Sequence, residues 1–166
     1  GRNYGWRNRE GAHNNVTSLP PISLPLTDPI YEYDHSQGLS ITGGFVYRGT
    51  ALGASFRGRY FFADFITNRV WSLRLTVNSN TGEATASDLI EHTSAFGTAS
   101  RSVASFGEDA SGELYLLSYA GAIYRIASTL PPPPSEARRR PATSPVIGFA
   151  MPRPAGGGAS PALGSA

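Results

Sequence analysis

Two hairpins of one pattern stand in tandem in this chain, and no other feature of the sequence restricts its fold as much. The first runs Gly58-Arg59-Tyr60-Phe61-Phe62-Ala63-Asp64-Phe65, turns at Ile66–Arg69, and returns through Val70-Trp71-Ser72-Leu73-Arg74-Leu75. The second runs Gly112-Glu113-Leu114-Tyr115-Leu116-Leu117-Ser118-Tyr119, turns at Ala120-Gly121, and returns through Ala122-Ile123-Tyr124-Arg125-Ile126. With one gap in the turn, Phe61 aligns with Tyr115, Phe62 with Leu116 and Phe65 with Tyr119. Val70 then aligns with Ile123, Trp71 with Tyr124 and Leu73 with Ile126. Gly58 and Gly112 stand 54 positions apart. Strand-only repeats of about this length point to β-propeller blades. Two unrelated hairpins of a β-sandwich are the alternative. Blades cover their faces with neighbouring blades, so two alone leave both ends of the stack bare. A chain of two is therefore expected to be weakly stable by itself.

The flanking segments fit an all-β reading. Gly1 to Pro29 is rich in Asn, Gly and Pro and reads as a long loop anchored by Tyr4 and Trp6. Ile30-Tyr31-Glu32-Tyr33-Asp34 alternates and predicts a short strand. Ser40 to Tyr47, with Gly43 and Gly44 paired inside it, predicts a strand crowded against another backbone. Asp88 to His92 and Val103 to Phe106 predict two more strands. Asn68 is the expected left-handed residue of the first turn. No segment before Pro131 carries the apolar spacing of a three-turn amphipathic helix. Thr129 to Ala166 is Pro, Ala, Gly, Ser and Arg. It is expected to be a disordered tail, separate from a folded unit over 1–128, because it cannot bury enough apolar surface to offset the entropy of ordering.

Composition excludes several chemistries. All 14 cationic side chains are Arg and none is Lys, which removes Schiff-base chemistry and a phosphate-loop lysine. From residue 1 to 128 there are 10 Arg and 11 Asp plus Glu, so the folded part is nearly neutral and lacks the basic face that nucleic acid needs. The excess of cations sits in the tail, at Arg138, Arg139, Arg140 and Arg153 against Glu136. There is no cysteine, hence no disulfide or thiolate metal site. No apolar run is long enough for a membrane span. Asn15-Val16-Thr17 is a glycosylation sequon.

Several motifs together resemble the glucose/sorbosone dehydrogenase family, the soluble aldose sugar dehydrogenases. They are Asn3-Tyr4-Gly5-Trp6, Tyr33-Asp34-His35-Ser36-Gln37-Gly38, and Ser40 through Gly49. Gly58 through Phe65, Arg69-Val70-Trp71, Ser105-Phe106-Gly107-Glu108-Asp109 and Gly112-Glu113-Leu114-Tyr115 complete the set. The resemblance implies a six-bladed β-propeller, of which this chain would supply about the last two blades. It implies an oxidoreductase that oxidises a sugar with pyrroloquinoline quinone (PQQ) and binds Ca²⁺, in the periplasm or secreted. The catalytic base and the Ca²⁺ ligands would lie upstream of this chain. Tyr33 would stack on the quinone, or else be a core tyrosine. His35 would face the channel, or else bond within its own turn. Arg69 stands in the turn where the quinone enzymes use a Lys and would pair with a cofactor carboxylate, or else be solvated. Arg101 remains of an expected Arg pair. The alternative function is a propeller of the same ancestry used as a binding module without cofactor.

The remaining candidates carry less. Asp34, His35 and Ser36 are consecutive and cannot form a triad from one face of a strand. His13 and His92 have no partner at ligand spacing. Asp109-Ala110-Ser111-Gly112-Glu113 lacks the ligand set of a Ca²⁺ loop and reads as a turn.

Overall fold

The structure, a computed structural model, describes residues 1–128, apart from 17, 19, 21 and 22, and residues 146–149. Its regular structure is almost all β. A short ribbon pairs β1 (Arg9–Glu10) with β2 (His13–Asn14). One four-stranded sheet contains β3 (Ile41–Thr42), β4 (Arg59–Asp64), β5 (Val70–Val77) and β6 (Ala84–Glu91), in that order and antiparallel throughout. The other contains β7 (Val103–Glu108), β8 (Leu114–Ser118), β9 (Ala122–Ser128) and β10 (Val146–Phe149). One turn of helix, α1 (Thr93–Phe96), and two 3₁₀ turns, Ala54–Phe56 and Gly97–Ser100, complete the described elements.

The repeat aligned in sequence keeps its cross-strand partners. Phe62 faces Trp71 across β4 and β5, as Leu116 faces Tyr124 across β8 and β9. Phe61 faces Ser72, as Tyr115 faces Arg125. Because side chains alternate between faces, each sheet has two distinct surfaces. The Phe61, Ala63 and Val70 surface of the first sheet shares one core with Leu114, Leu116 and Ile126 of the second. By the alignment, that second surface corresponds to the Phe62 side of the first sheet. Unlike faces therefore meet, and the two sheets stack head to tail. They approach most closely at β3, β4 and β7, where Thr42 Oγ1 donates to the Val103 carbonyl at 2.9 Å. Tyr47, Leu52, Phe56 and Phe96 fill the space between them. Burying each such side chain contributes roughly 1.5–3 kcal/mol.

Polar groups fasten this contact. Glu113 Oε1 accepts the Thr50 and Ala51 amides at 2.8 and 2.9 Å, and Oε2 accepts Tyr47 Oη at 3.0 Å. The fit is tight: a Cβ on Gly112 would stand 2.9 Å from the Arg48 backbone, at a φ of 76° that already favours glycine.

Two expectations need correction. Ile30 to Asp34 is not a strand: its side chains are fixed by contacts to other elements, not by a ladder. The strand expected over Ser40–Tyr47 is reduced to Ile41–Thr42 and an isolated bridge from Val46 to Tyr60, since the chain between bends where Gly44 lies against the Phe61 carbonyl and the Phe106 ring. The tail expected over 129–166 lies outside the described residues except at β10. There Val146-Ile147-Gly148-Phe149 extends the second sheet, parallel to β9 from Arg125 to Ser128. An apolar run of four residues is enough to pair with an open sheet edge.

Candidate functional site

The Phe62–Trp71–Leu73 surface of the first sheet is covered by the segment that leads into it. The Tyr31 ring packs on Phe62 with centroids 5.7 Å apart, and Tyr33 packs on Trp71 at 5.4 Å. Above them lies an open cleft of about 780 Å³, whose walls include Glu10, His13, Tyr31, Glu32, Tyr33 and His35.

Asp64 organises the floor of this cleft. It ends β4 and is fully buried. Oδ2 accepts the Leu39 and Ser40 amides, both at 2.6 Å, and Tyr33 Oη at 3.0 Å. Oδ1 accepts the Ile66 and Thr67 amides at 2.9 and 2.7 Å and Thr67 Oγ1 at 3.0 Å. Burial pushes the Asp64 carboxyl up, but the Thr67 and Ser40 amides outweigh it and hold it below its ordinary range. Burial, and then the bond to Asp64, raises Tyr33, so its phenol stays protonated and donates. One carboxylate thus closes the turn, pins residues 39–40 and orients Tyr33.

The opposite wall is built from the ribbon. Glu32 accepts the Ala12 amide at 2.7 Å and pairs with His13 Nε2 at 3.0 Å. The Ala12 amide chiefly, with His13, holds the Glu32 carboxyl below its usual range. His35 Nε2 lies 3.8 Å from Glu10 Oε1, and both groups are exposed. Asp34 accepts Ser36 Oγ and its amide, which lower its pKa.

The four residues singled out in sequence fall in different places. Tyr33 and His35 line the cleft together. Arg69 flanks it. Its guanidinium lies 4.8 Å over the Trp71 ring, pairs with Glu91 at 2.5 and 3.2 Å, and donates to the Gln37 carbonyl at 3.0 Å. The hydrogen bonds to Glu91 raise it. Arg101 is exposed beside the second sheet and is not among the residues lining the cleft.

Sequence reasoning missed Asp64, Glu32 and the partner of His92. An Asp followed three residues later by Thr, between two strands, is the local signal for an Asx-type turn and marks Asp64. Glu32 has no such signal. His92 Nε2 lies within hydrogen-bond distance of Ser72 Oγ, at 2.7 Å, and the same oxygen accepts Arg59 Nε at 2.7 Å. The His92 ring stacks on Phe61 at 5.6 Å. Burial first, then the nearby Arg59, pushes His92 down to about 4. Although a Ser–His pair is the geometry of an activated nucleophile, Ser72 is fully buried and no substrate reaches it. Among the described residues, no group of three or more His, Asp or Glu is placed to hold a metal ion, and no helix is long and apolar enough to cross a membrane.

No family model matches this sequence, and no solved structure matches it. Two curated relatives from Arabidopsis thaliana do. The HIPL1 protein is 34% identical over 178 aligned positions, covering 87% of this chain and 25% of the relative. The HIPL2 protein is 32% identical over 152 positions, covering 76% of this chain and 21% of the relative. Neither is named as a PQQ-dependent sugar dehydrogenase, so the resemblance to glucose/sorbosone dehydrogenases is corrected. The physical reason lies in the motifs that carried it. Asp64 caps a turn, Gly112 makes room for a neighbouring backbone and Glu113 ties two sheets together. These residues are demanded by the packing of such sheets and carry no particular chemistry. The chain is similar to the two HIPL proteins and spans about a quarter of their length or less.

Proposed function

We propose that this chain is part of a β-propeller that acts as a binding module, with the cleft at Tyr31 and Tyr33 as its ligand site. Head-to-tail stacking supports the propeller. The contact joins unlike faces, and the Ile123 face of the second sheet stays open to a further sheet, so the stack can continue in one direction, as blades around an axis do. The innermost strands β3 and β7 lie side by side, as blades require. Six blades remain the expected number for the longer protein.

The binding reading rests on one observation: the polar groups around the cleft are already held by partners within the protein. Asp64 fixes Tyr33, and Ala12 and His13 fix Glu32. Such a preorganised wall loses little entropy when it binds. Aromatic faces beside carboxylates and imidazoles suit a hydroxyl-rich ligand, and a carbohydrate is the proposed partner. The site belongs to an exported protein in this reading.

The described residues do not fit PQQ as it was expected to be held. Arg69 is engaged by Glu91 and Trp71, Arg101 stands away from the cleft, and no lysine exists to replace them. A second reading, PQQ- and Ca²⁺-dependent oxidation of an aldose by the longer protein, is favoured by Tyr33 and His35 sharing one cleft. Dye reduction by the longer protein, supplied with PQQ, Ca²⁺ and a panel of aldoses, separates the two. The binding reading expects no reduction, together with saturable binding on a carbohydrate array that Glu32→Gln weakens. Aldose-dependent dye reduction, or an array without any carbohydrate bound, overturns it.

A further inference from the structure

Asn15-Val16-Thr17 is the one Asn-x-Ser/Thr triplet in the sequence, and the proposed binding function does not use it. We propose that Asn15 is an acceptor for an N-linked glycan, placed at the rim of the cleft. This rests on the reading of the protein as exported and is independent of what the cleft binds.

Asn15 follows β2 directly, is exposed, and stands among the residues that line the cleft. Its backbone is held by the bond from its amide to the Asn8 carbonyl at 2.7 Å. Its side chain is held more loosely: Nδ2 donates to the Arg7 carbonyl at 3.3 Å, near the outer limit of such a bond. The acceptor nitrogen thus sits on a fixed backbone with an accessible, weakly engaged amide. The middle position of the triplet is Val16, so the proline that blocks the modification is absent.

The transfer balances with a lipid-linked oligosaccharyl pyrophosphate as donor. Asn15 Nδ2 forms the bond to C1 of the first sugar, and the bond from C1 to the pyrophosphate oxygen breaks. The lipid pyrophosphate leaves, and one proton passes from Nδ2 to the transferase. The nitrogen keeps its other hydrogen, which suffices for the bond to the Arg7 carbonyl. The glycan would then project beside His13 and narrow the approach to the cleft.

The test is translation of the full 166-residue chain behind a cleavable signal sequence in the presence of microsomes, with a reference sequon appended after Ala166. Products protected from added protease are read by gel shift and by digestion with peptide N-glycosidase. Two glycans are expected on the wild-type chain, one on Asn15→Gln and on Thr17→Ala, and two on Thr17→Ser, which keeps the required hydroxyl. A protected chain carrying only the reference glycan overturns the proposal, as does a second glycan that survives Asn15→Gln.

Discussion

Glu113, at the start of β8, reaches across to Tyr47 and accepts its hydroxyl at 3.0 Å between the two sheets. The same carboxylate accepts the Thr50 and Ala51 amides, and it is only 4% exposed. Glu113→Ala leaves these donors without this acceptor in a buried interface, for a loss of about 3 kcal/mol. Glu113→Gln keeps Oε1 for the two amides and loses about half of that. Urea midpoints of the two variants, taken like the stability measurements below in the longer protein, check the order, and a Glu113→Gln variant as stable as the wild type would argue that the carboxylate acts only as filler.

His92 makes stability depend on pH in a definite window. Its ordinary value is 6.5 and its folded value is about 4. Below 6.5 the unfolded chain takes up a proton that the folded chain refuses, so stability falls as pH falls from 6.5 to 4. The loss is about 1.4 kcal/mol per unit, or roughly 3 kcal/mol in all. The depressed carboxylates, Asp64 and Glu32 among them, act in the same direction but only below about 4.5. Denaturation midpoints between pH 7 and 5 should therefore slope in the wild type and flatten in His92→Gln. A flat wild-type profile would contradict the burial of a neutral imidazole.

Asp64 is more costly to change than its phenolic partner. Asp64→Asn puts an NH₂ group against amide donors, for an expected loss of about 3 kcal/mol, whereas Tyr33→Phe removes one hydrogen bond, worth about 1 kcal/mol. In the double variant the Tyr33 contribution should vanish, and thermal unfolding of all four proteins measures that coupling. Full additivity would show that Asp64 does not hold Tyr33.

Arg69 separates structure from cofactor. Its pair with Glu91 is partly exposed and its guanidinium lies over the buried Trp71 ring, so Arg69→Ala should lower stability by about 1–2 kcal/mol. Carbohydrate binding by the longer protein should persist in this variant. Loss of binding with unchanged stability would place Arg69 in the ligand site.

The outer face of the second sheet carries Tyr115, Leu117 and Ile123, and Ile123 is 59% exposed. By the alignment, these positions match Phe61, Ala63 and Val70, which are buried in the first sheet. The isolated 166 residues should therefore self-associate and unfold without a sharp transition, and Ile123→Arg should raise solubility. A monomer with a sharp two-state melt would contradict the stacking argument.

The sequence made the hairpins legible because alternation and turn chemistry are local. Phe62 and Trp71 align in sequence with Leu116 and Tyr124, and the registers preserve that alignment. The cleft was half legible. Tyr33 and His35 lie two residues apart in sequence, and they share the site. Glu10, His13 and Glu32 reach it through contacts some twenty residues apart, which no periodicity records. His92 looked partnerless for the same reason, since Ser72 lies 20 residues away in sequence and beside it in space. The strand expected at Ile30 to Asp34 failed because its alternation serves packing on Phe62 and Trp71, not a ladder.

Head-to-tail stacking bears on how such a protein changes over generations. A contact between like faces closes on itself and fixes the number of parts at two. Here the contact joins unlike faces, the Phe61 side of one sheet to the Leu116 side of the next. Duplicating a gene segment of one period adds a sheet whose contacts exist already, and deleting one removes a sheet without creating a surface that has no mate. The number of units can therefore drift while the interface stays the same.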